Sequence, residues 1–282
     1  MPGDHLRYVL VVGLDGELSV VRRVEGLKDR FARVVNLYVG RCYYWKVEAW
    51  SSNEKIAESP VWSFSTHPTP PRWIEVPGIT NARDIGGWEL PNNRRIRQGL
   101  VFRSSEMNSH LFLTEEGKRI LEEELEIRTD VDLRGEDEIC QPALDKDRVA
   151  YFNFPVQPYE HIAESKYQQH YRGIFQLLAD PRRYPVIIHC WGGADRTGTV
   201  VFLLQALLGM EKELLTCEYE LTSLSIWGER IRTSVEFQEF LQTLARYSPR
   251  GSSLQTQVES YLETIGVSAA EMASIRAMLM EG

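Results

Sequence analysis

The chain has 282 residues, enough for one large or two modest domains and a sizeable buried core. It is 43% apolar and 26% charged with a net charge of −8, a balance that disfavours nonspecific nucleic-acid binding and requires any anionic substrate to be drawn in by a local basic patch. No apolar run approaches a membrane span, and neither the four scattered cysteines nor the six dispersed histidines have metal-ligand or disulfide-framework spacing, so no cofactor and no metal are expected.

Residues 1–67 form a first domain in which residues 5 to 66 read as strands. Leu6 to Leu14 is a Val/Leu-rich run ended by Asp15-Gly16, Leu18 to Val24 is β-branched, Phe31 to Val39 and Tyr43 to Trp50 follow, and Val61 to Thr66 closes the set. Five short strands separated by turn signals predict a small all-β antiparallel sandwich. The phrases from Gly40 to Ala49 and from Ser59 to Thr66 resemble the last strands of a fibronectin type III domain. Such a sandwich takes roughly 100 residues, so its first two strands are expected to be missing. Either the chain begins inside a longer sequence or the half-sandwich leans on its neighbour. The N-terminus lacks the basic-then-apolar pattern of a signal peptide, and the compartment stays open between cytoplasmic and, with a signal removed, secreted or periplasmic.

Residues 68–74, beginning Pro68-Thr69-Pro70-Pro71, form a proline-stiffened linker. From residue 75 to 282 the pattern changes to alternating strands and helices. Thr114 with Gly117 predicts a capped helix over Glu115 to Glu126. Arg128 to Arg134 and Tyr151 to Val156 read as strands, and Lys166 to Leu178 as a helix. Tyr184 to Ile188 reads as a buried strand and Thr199 to Leu208 as a core helix. Residues 211–246 are helical by pattern. From Leu254 to Met280 run two amphipathic segments, the second opened by a Ser268/Glu271 capping box.

Between that buried strand and core helix lies His189-Cys190-Trp191-Gly192-Gly193-Ala194-Asp195-Arg196-Thr197-Gly198. A glycine-bearing loop running into a helix N-terminus turns backbone amides and the positive end of the helix dipole toward one point, which favours a bound anion. There Cys190 is expected as a thiolate nucleophile. The fork of Arg196 can grip two oxygens of one phosphate. A bare Cys-x5-Arg is a weak signal, yet only Cys190 has an arginine at the sixth place; Cys42, Cys140 and Cys217 have Glu48, Lys146 and Ser223.

The whole string resembles the signature of the cysteine-dependent tyrosine and dual-specificity protein phosphatases, most closely their bacterial branch. Asn81-Ala82-Arg83-Asp84-Ile85-Gly86-Gly87, Arg103-Ser104-Ser105 and Asp132-Leu133-Arg134 resemble that branch as well, with Ala82 in place of its usual phenylalanine. The resemblance implies an α/β phosphatase domain with a central, mostly parallel sheet flanked by helices and a helical lid at about 211–246. It implies hydrolysis of a phosphorylated protein or peptide through a phosphocysteine, with inorganic phosphate as product and no metal.

In that scheme Trp191, Gly192, Gly193, Ala194, Asp195 and Arg196 hold the phosphate, His189 orients the loop, and Thr197 donates its hydroxyl to the cysteine sulfur. The leaving group needs a proton, for which Asp195, Asp132 and Glu160 are the candidates, in that order. Ala194 stands where the branch usually has lysine, which favours monophosphorylated residues over lipid phosphates. Phosphotyrosine is the expected substrate, with dual specificity open. The alternatives are a phosphoprotein-binding module that turns little over and a thiol redox or arsenate-reducing enzyme.

Overall fold

The computed structural model describes residues 6–19, 21–27, 31–135, 137–138 and 140–282. The chain divides into two compact units, Met1–Pro70 and Pro71–Gly282.

The first unit is one antiparallel sheet. Strand β1 (Leu6–Gly13) pairs on one side with β2 (Val21–Leu27) and on the other with β3 (Cys42–Ser51). Two short strands, β4 (Glu54–Glu58) and β5 (Trp62–Ser65), share the far edge of β3, β4 against Glu48–Ser51 and β5 against Cys42–Trp45. Pro60 between them has no N–H to give to a ladder. Of the expected Leu18–Val24 strand, Val20 lies outside the described residues.

Two expectations fail here. Phe31–Val39 is not a strand: Asn36 takes the left-handed conformation at φ 62°, and Ala32, Val34 and Leu37 pack across Leu10 and Val12 of the sheet instead of entering a ladder. The described residues therefore form a single five-stranded layer and not the two layers of a sandwich. Strand β4 was not foreseen, because all five of its residues are exposed and an edge strand without a buried face leaves no alternation to read.

The second unit carries a six-stranded sheet built from β6 (Arg72–Trp73), β7 (Arg83–Asp84), β10 (Val101–Ser104), β11 (Thr129–Asp132), β12 (Ala150–Asn153) and β13 (Val186–His189), in the order β12-β11-β13-β10-β7-β6. The four from β12 to β10 are parallel; β7 and β6 add an antiparallel margin. A small separate sheet joins β8 (Glu89–Leu90) and β9 (Arg94–Ile96) to β14 (Met280–Glu281). Successive residues of a strand face opposite sides, and both sides are covered here: Val186 and Ile188 enter one core cluster, Ile187 the other.

The first face packs on six helices: α2 (Ser165–Leu178), α3 (Asp195–Leu207), α4 (Lys212–Glu220), α5 (Val235–Ala245), α6 (Leu254–Thr264) and α7 (Ala269–Leu279). Helix α3 is buried at every position from Thr197 to Leu207, as a helix apolar all round must be. The second face packs on α1 (Glu115–Arg119) and the π-helical turn that continues it to Glu124. Thr114 Oγ1 accepts from Gly117 N at 3.0 Å, and the Ser268/Glu271 capping box forms with both of its bonds.

The expected lid is resolved differently. Helices α4 and α5 bury Leu215, Tyr219, Phe237, Phe240 and Leu244 in the main core, so they are structural members of the domain. The non-helical connection between them, around Ser225–Ser234, reaches the signature loop through Trp227 and Arg230. Among the described residues no helix is long and apolar enough to cross a membrane.

Candidate active site

Strand β13 ends at His189, and α3 starts at Asp195, so Cys190–Ala194 lie beyond the carboxyl end of a central parallel strand, where open α/β sheets bind ligands. The loop is held from outside by its carbonyls. Trp191 O accepts from Glu106 N at 2.8 Å. Asn81 Nδ2 donates to Gly192 O and Gly193 O, each at 3.1 Å, and Arg103 Nη2 donates to Gly193 O at 2.5 Å and Ala194 O at 3.4 Å. Because a peptide unit is planar, fixing four successive carbonyls outward turns the amides beside them inward, which is the geometry of an anion cradle. Gly193 makes this possible at φ 63°, where an added Cβ would lie 2.2 Å from Ser104 O.

Behind the loop stands a buried polar network whose acid was not foreseen. Glu218 of α4 takes Arg83 Nε on one oxygen at 2.7 Å and Arg103 Nη1 on the other at 2.8 Å. Arg83 also donates to Asn81 Oδ1 at 2.5 Å, which sets the amide that grips the loop. Burial and the neighbouring Arg103 pull Arg83 down to about 10, still charged at neutral pH, with Glu218 opposing them. Through these bonds the two arginines fasten the loop from behind. Arg134 is likewise fully buried, on Asp132, Glu106 and Asn108.

Arg196 lies in a cleft of about 750 Å³ that is also lined by Glu106, His110, Asp137, Glu138, Trp191 and Asp195. Glu138 pairs end-on with its guanidinium, through Nη1 at 2.5 Å and Nη2 at 3.0 Å. That leaves the Nε edge of the fork for a second, side-on bidentate contact, so Glu138 can aim Arg196 without consuming it. Burial works against the charge on Arg196, and Glu138 and Cys190 outweigh it and hold the guanidinium above its already high ordinary value. Cys190 itself is 3% exposed, at the base of the loop.

Several expected roles change. Asp132 is fully buried, accepts from Arg134 at 2.8 Å and from the Tyr151 hydroxyl at 2.8 Å, and does not line the cleft. Burial would raise its pKa, but His189 and Arg134 hold it below the ordinary carboxylate value. An inaccessible carboxylate cannot hand a proton to a leaving group. Glu160 lies in the turn Tyr159–Ala163 beside His161, outside the cleft lining. The Thr197 hydroxyl is buried and makes no hydrogen bond among the described residues, so the expected bond to the Cys190 sulfur is not formed. His189 sits with Nε2 3.0 Å from Asp130 and Nδ1 3.9 Å from Asp132; burial opposes its charge, and the two carboxylates outweigh it and raise its pKa.

Asp195 reaches the cleft but is clamped. Arg230, from the connection between α4 and α5, donates Nε and Nη2 to its two oxygens at 2.7 and 2.8 Å, and the Tyr159 hydroxyl donates to the first. Burial pushes the Asp195 pKa up, and Arg230 and Tyr159 together bring it below the ordinary value. The same connection lays the Trp227 ring against Gly192, where an added Cβ would meet it at 2.8 Å, and donates Trp227 Nε1 to Thr80 at 2.9 Å.

A group with a lowered folded pKa stabilises above its unfolded value, about 3.9 for aspartate, and that contribution vanishes as the pH falls through the folded value. Arg230→Ala is therefore expected to melt below the wild type at pH 7, with the gap narrowing as the pH is brought below about 3.9. Calorimetry at the two pH values checks this, and an undiminished gap in acid would rule out the ion pair as its cause.

Sequence reasoning missed Glu218, Glu138, Glu106, His110 and Arg230. Only Glu218 left a trace, as an acid on the same helical face as the buried Leu215 and Thr222.

A family model described as the tyrosine phosphatase family matches residues 74–281. A search of curated proteins finds no match. Among solved structures, the core catalytic domain of the PP-IP phosphatase SIW14 from S. cerevisiae is 18% identical, over 50% of this chain and 78% of that one, with a TM-score of 0.38. A second structure of the Siw14 catalytic core is 16% identical, over 46% of this chain and 73% of that one, with a TM-score of 0.35.

Proposed function

From the premise that this chain belongs to the tyrosine phosphatase family, we propose that it hydrolyses phosphate monoesters of proteins, phosphotyrosine first, through a phosphocysteine on Cys190. In the first step the Cys190 sulfur attacks phosphorus in line, the ester P–O bond breaks, and the leaving oxygen takes a proton. Water then attacks phosphorus, the P–S bond breaks, and phosphate departs. The loop amides from Trp191 to Arg196 and the side-on edge of the Arg196 fork hold the non-bridging oxygens as charge redistributes. What supports this above all is the loop itself, with four carbonyls tied outward around one nucleophile and one guanidinium aimed by Glu138.

Charge favours a singly phosphorylated substrate. Among the described residues lining the cleft, Arg196 is the one arginine or lysine, against Glu106, Asp137, Glu138 and Asp195, and Ala194 adds nothing where a lysine would. A polyphosphorylated ligand would meet repulsion there. The test is phosphate release from a phosphotyrosine peptide, a phosphoserine peptide, a phosphoinositide and an inositol pyrophosphate. The phosphotyrosine peptide is expected to have the highest kcat/KM, and a preference for either inositol compound would overturn the assignment. On the preferred substrate Arg196→Lys should cost about 10²- to 10³-fold, since a point charge cannot replace a two-pronged grip. A binding-only module would give no product at all. The single-layer sheet of the first unit we read as part of a fibronectin type III-like module, on the strength of its antiparallel strands and one apolar face.

A further inference from the structure

Among the described residues, four carboxylates line the cleft around Arg196, and three of them are answered by an arginine. Glu138 is paired with Arg196, Asp195 with Arg230 through both of its oxygens, and the buried Glu106 with Arg134 Nη1 at 3.4 Å. Asp137 is the fourth. It is exposed and makes no ion pair or hydrogen bond among the described residues.

Its position follows from its neighbour. Glu138 aims the Arg196 fork and is itself held by Gly135 N, which donates to its Oε2 at 2.8 Å. Consecutive Cα atoms are about 3.8 Å apart, so an unpaired negative charge stands one residue from the group that orients the phosphate clamp. The sulfur lies deep, with Cys190 3% exposed, whereas Asp137 is open to solvent. A phosphoryl group seated in the loop therefore leaves Asp137 to meet the part of the substrate that stays in the open cleft.

Charge decides what that part should be. With the three pairs counted as neutral, a phosphate dianion enters a cleft whose remaining charge is that of Asp137, so a further acidic group beside the phosphorylated residue is repelled and a cationic one attracted. The Trp191 ring, 45% exposed and lining the same cleft, adds an apolar face on which the stem of a lysine or the plane of an arginine can rest.

We propose that Asp137 is a specificity-determining residue that selects phosphotyrosine substrates carrying a lysine or arginine within two places of the phosphorylated residue. This rests on the phosphatase reading above and narrows its substrate class.

The test compares three phosphotyrosine peptides that differ only in their flanking residues: arginine, alanine or glutamate. For the wild type kcat/KM is expected to fall in that order, by about 10-fold from first to last. Asp137→Asn should reduce that ratio to about threefold or less, and Asp137→Lys should reverse it. Raising the salt from 0.05 to 0.5 M should shrink the wild-type ratio, since exposed charges are then screened within a few ångströms. Glu115→Gln removes an equally exposed acid, 89% accessible on α1 and outside the cleft, and should leave the ratio unchanged. An equal change in that variant would assign the preference to the net charge of −8 and overturn the proposal. So would a wild type indifferent to the flank, or an Asp137→Asn loss that falls equally on all three peptides, the mark of a structural or chemical role. In each of those cases Cys190-dependent release from the peptides would leave the phosphatase reading standing. Release from none of them by the wild type would remove both.

Discussion

Replacing Cys190 with serine is expected to lower phosphate release by about four orders of magnitude or more while leaving the binding of inorganic phosphate almost unchanged. The loss is of the size seen when the nucleophile of a covalent mechanism is removed. Serine is nearly isosteric, so the carbonyl ties from Glu106, Asn81 and Arg103 and the aim of Arg196 by Glu138 should survive. What disappears is a group that can attack at neutral pH and later leave: an alcohol does neither readily, whereas a thiolate does both. Turnover measured beside a titration with inorganic phosphate checks the two halves together. If affinity fell as far as rate, Cys190 would be supporting the loop and not reacting.

Glu218→Ala should strongly destabilise the second unit. The carboxylate is buried and bridges two fully buried guanidiniums, with side chains 0% and 4% exposed in each pair. Removing one partner of such a pair leaves uncompensated charge, which costs about 3–5 kcal/mol. For a domain of this size that corresponds to a fall in Tm of roughly 10 °C. Activity should fall with it even below the melting point, because Arg83 sets Asn81 and Arg103 holds Gly193, so both outer ties of the cradle loosen. Calorimetry of the variant, alongside its rate well below Tm, tests this. A change of only a degree or two would show that water or a neighbouring acid replaces Glu218.

What could be read in advance was local. The string from His189 to Gly198 carries its chemistry in consecutive residues, and the apolar runs on either side announce a strand and a helix without reference to anything distant. The Thr114 and Ser268 caps are equally short-range, each closing on a residue three places away. The missed residues act across the chain. Glu218 meets Arg83 over 135 residues and Arg103 over 115, and Glu138 meets Arg196 over 58. No periodicity encodes such pairings. Of the three expected acids, Asp195 is met by Arg230 over 35 residues, whereas Asp132 is met by Arg134 only two places along the chain. In the first unit the run from Phe31 to Val39 has strand-like residues but spends them on covering the sheet.

The covalent intermediate is the most direct test of whether Cys190 and Arg196 grip the same phosphorus. Quenching the enzyme in acid during turnover of a phosphotyrosine peptide and mapping the digest by mass spectrometry should find one phosphoryl group on the peptide containing Cys190, absent from Cys190→Ser and accumulating less in Arg196→Lys. Steady release of phosphate with no phosphoryl group on that peptide, or with one on another residue, would contradict the mechanism.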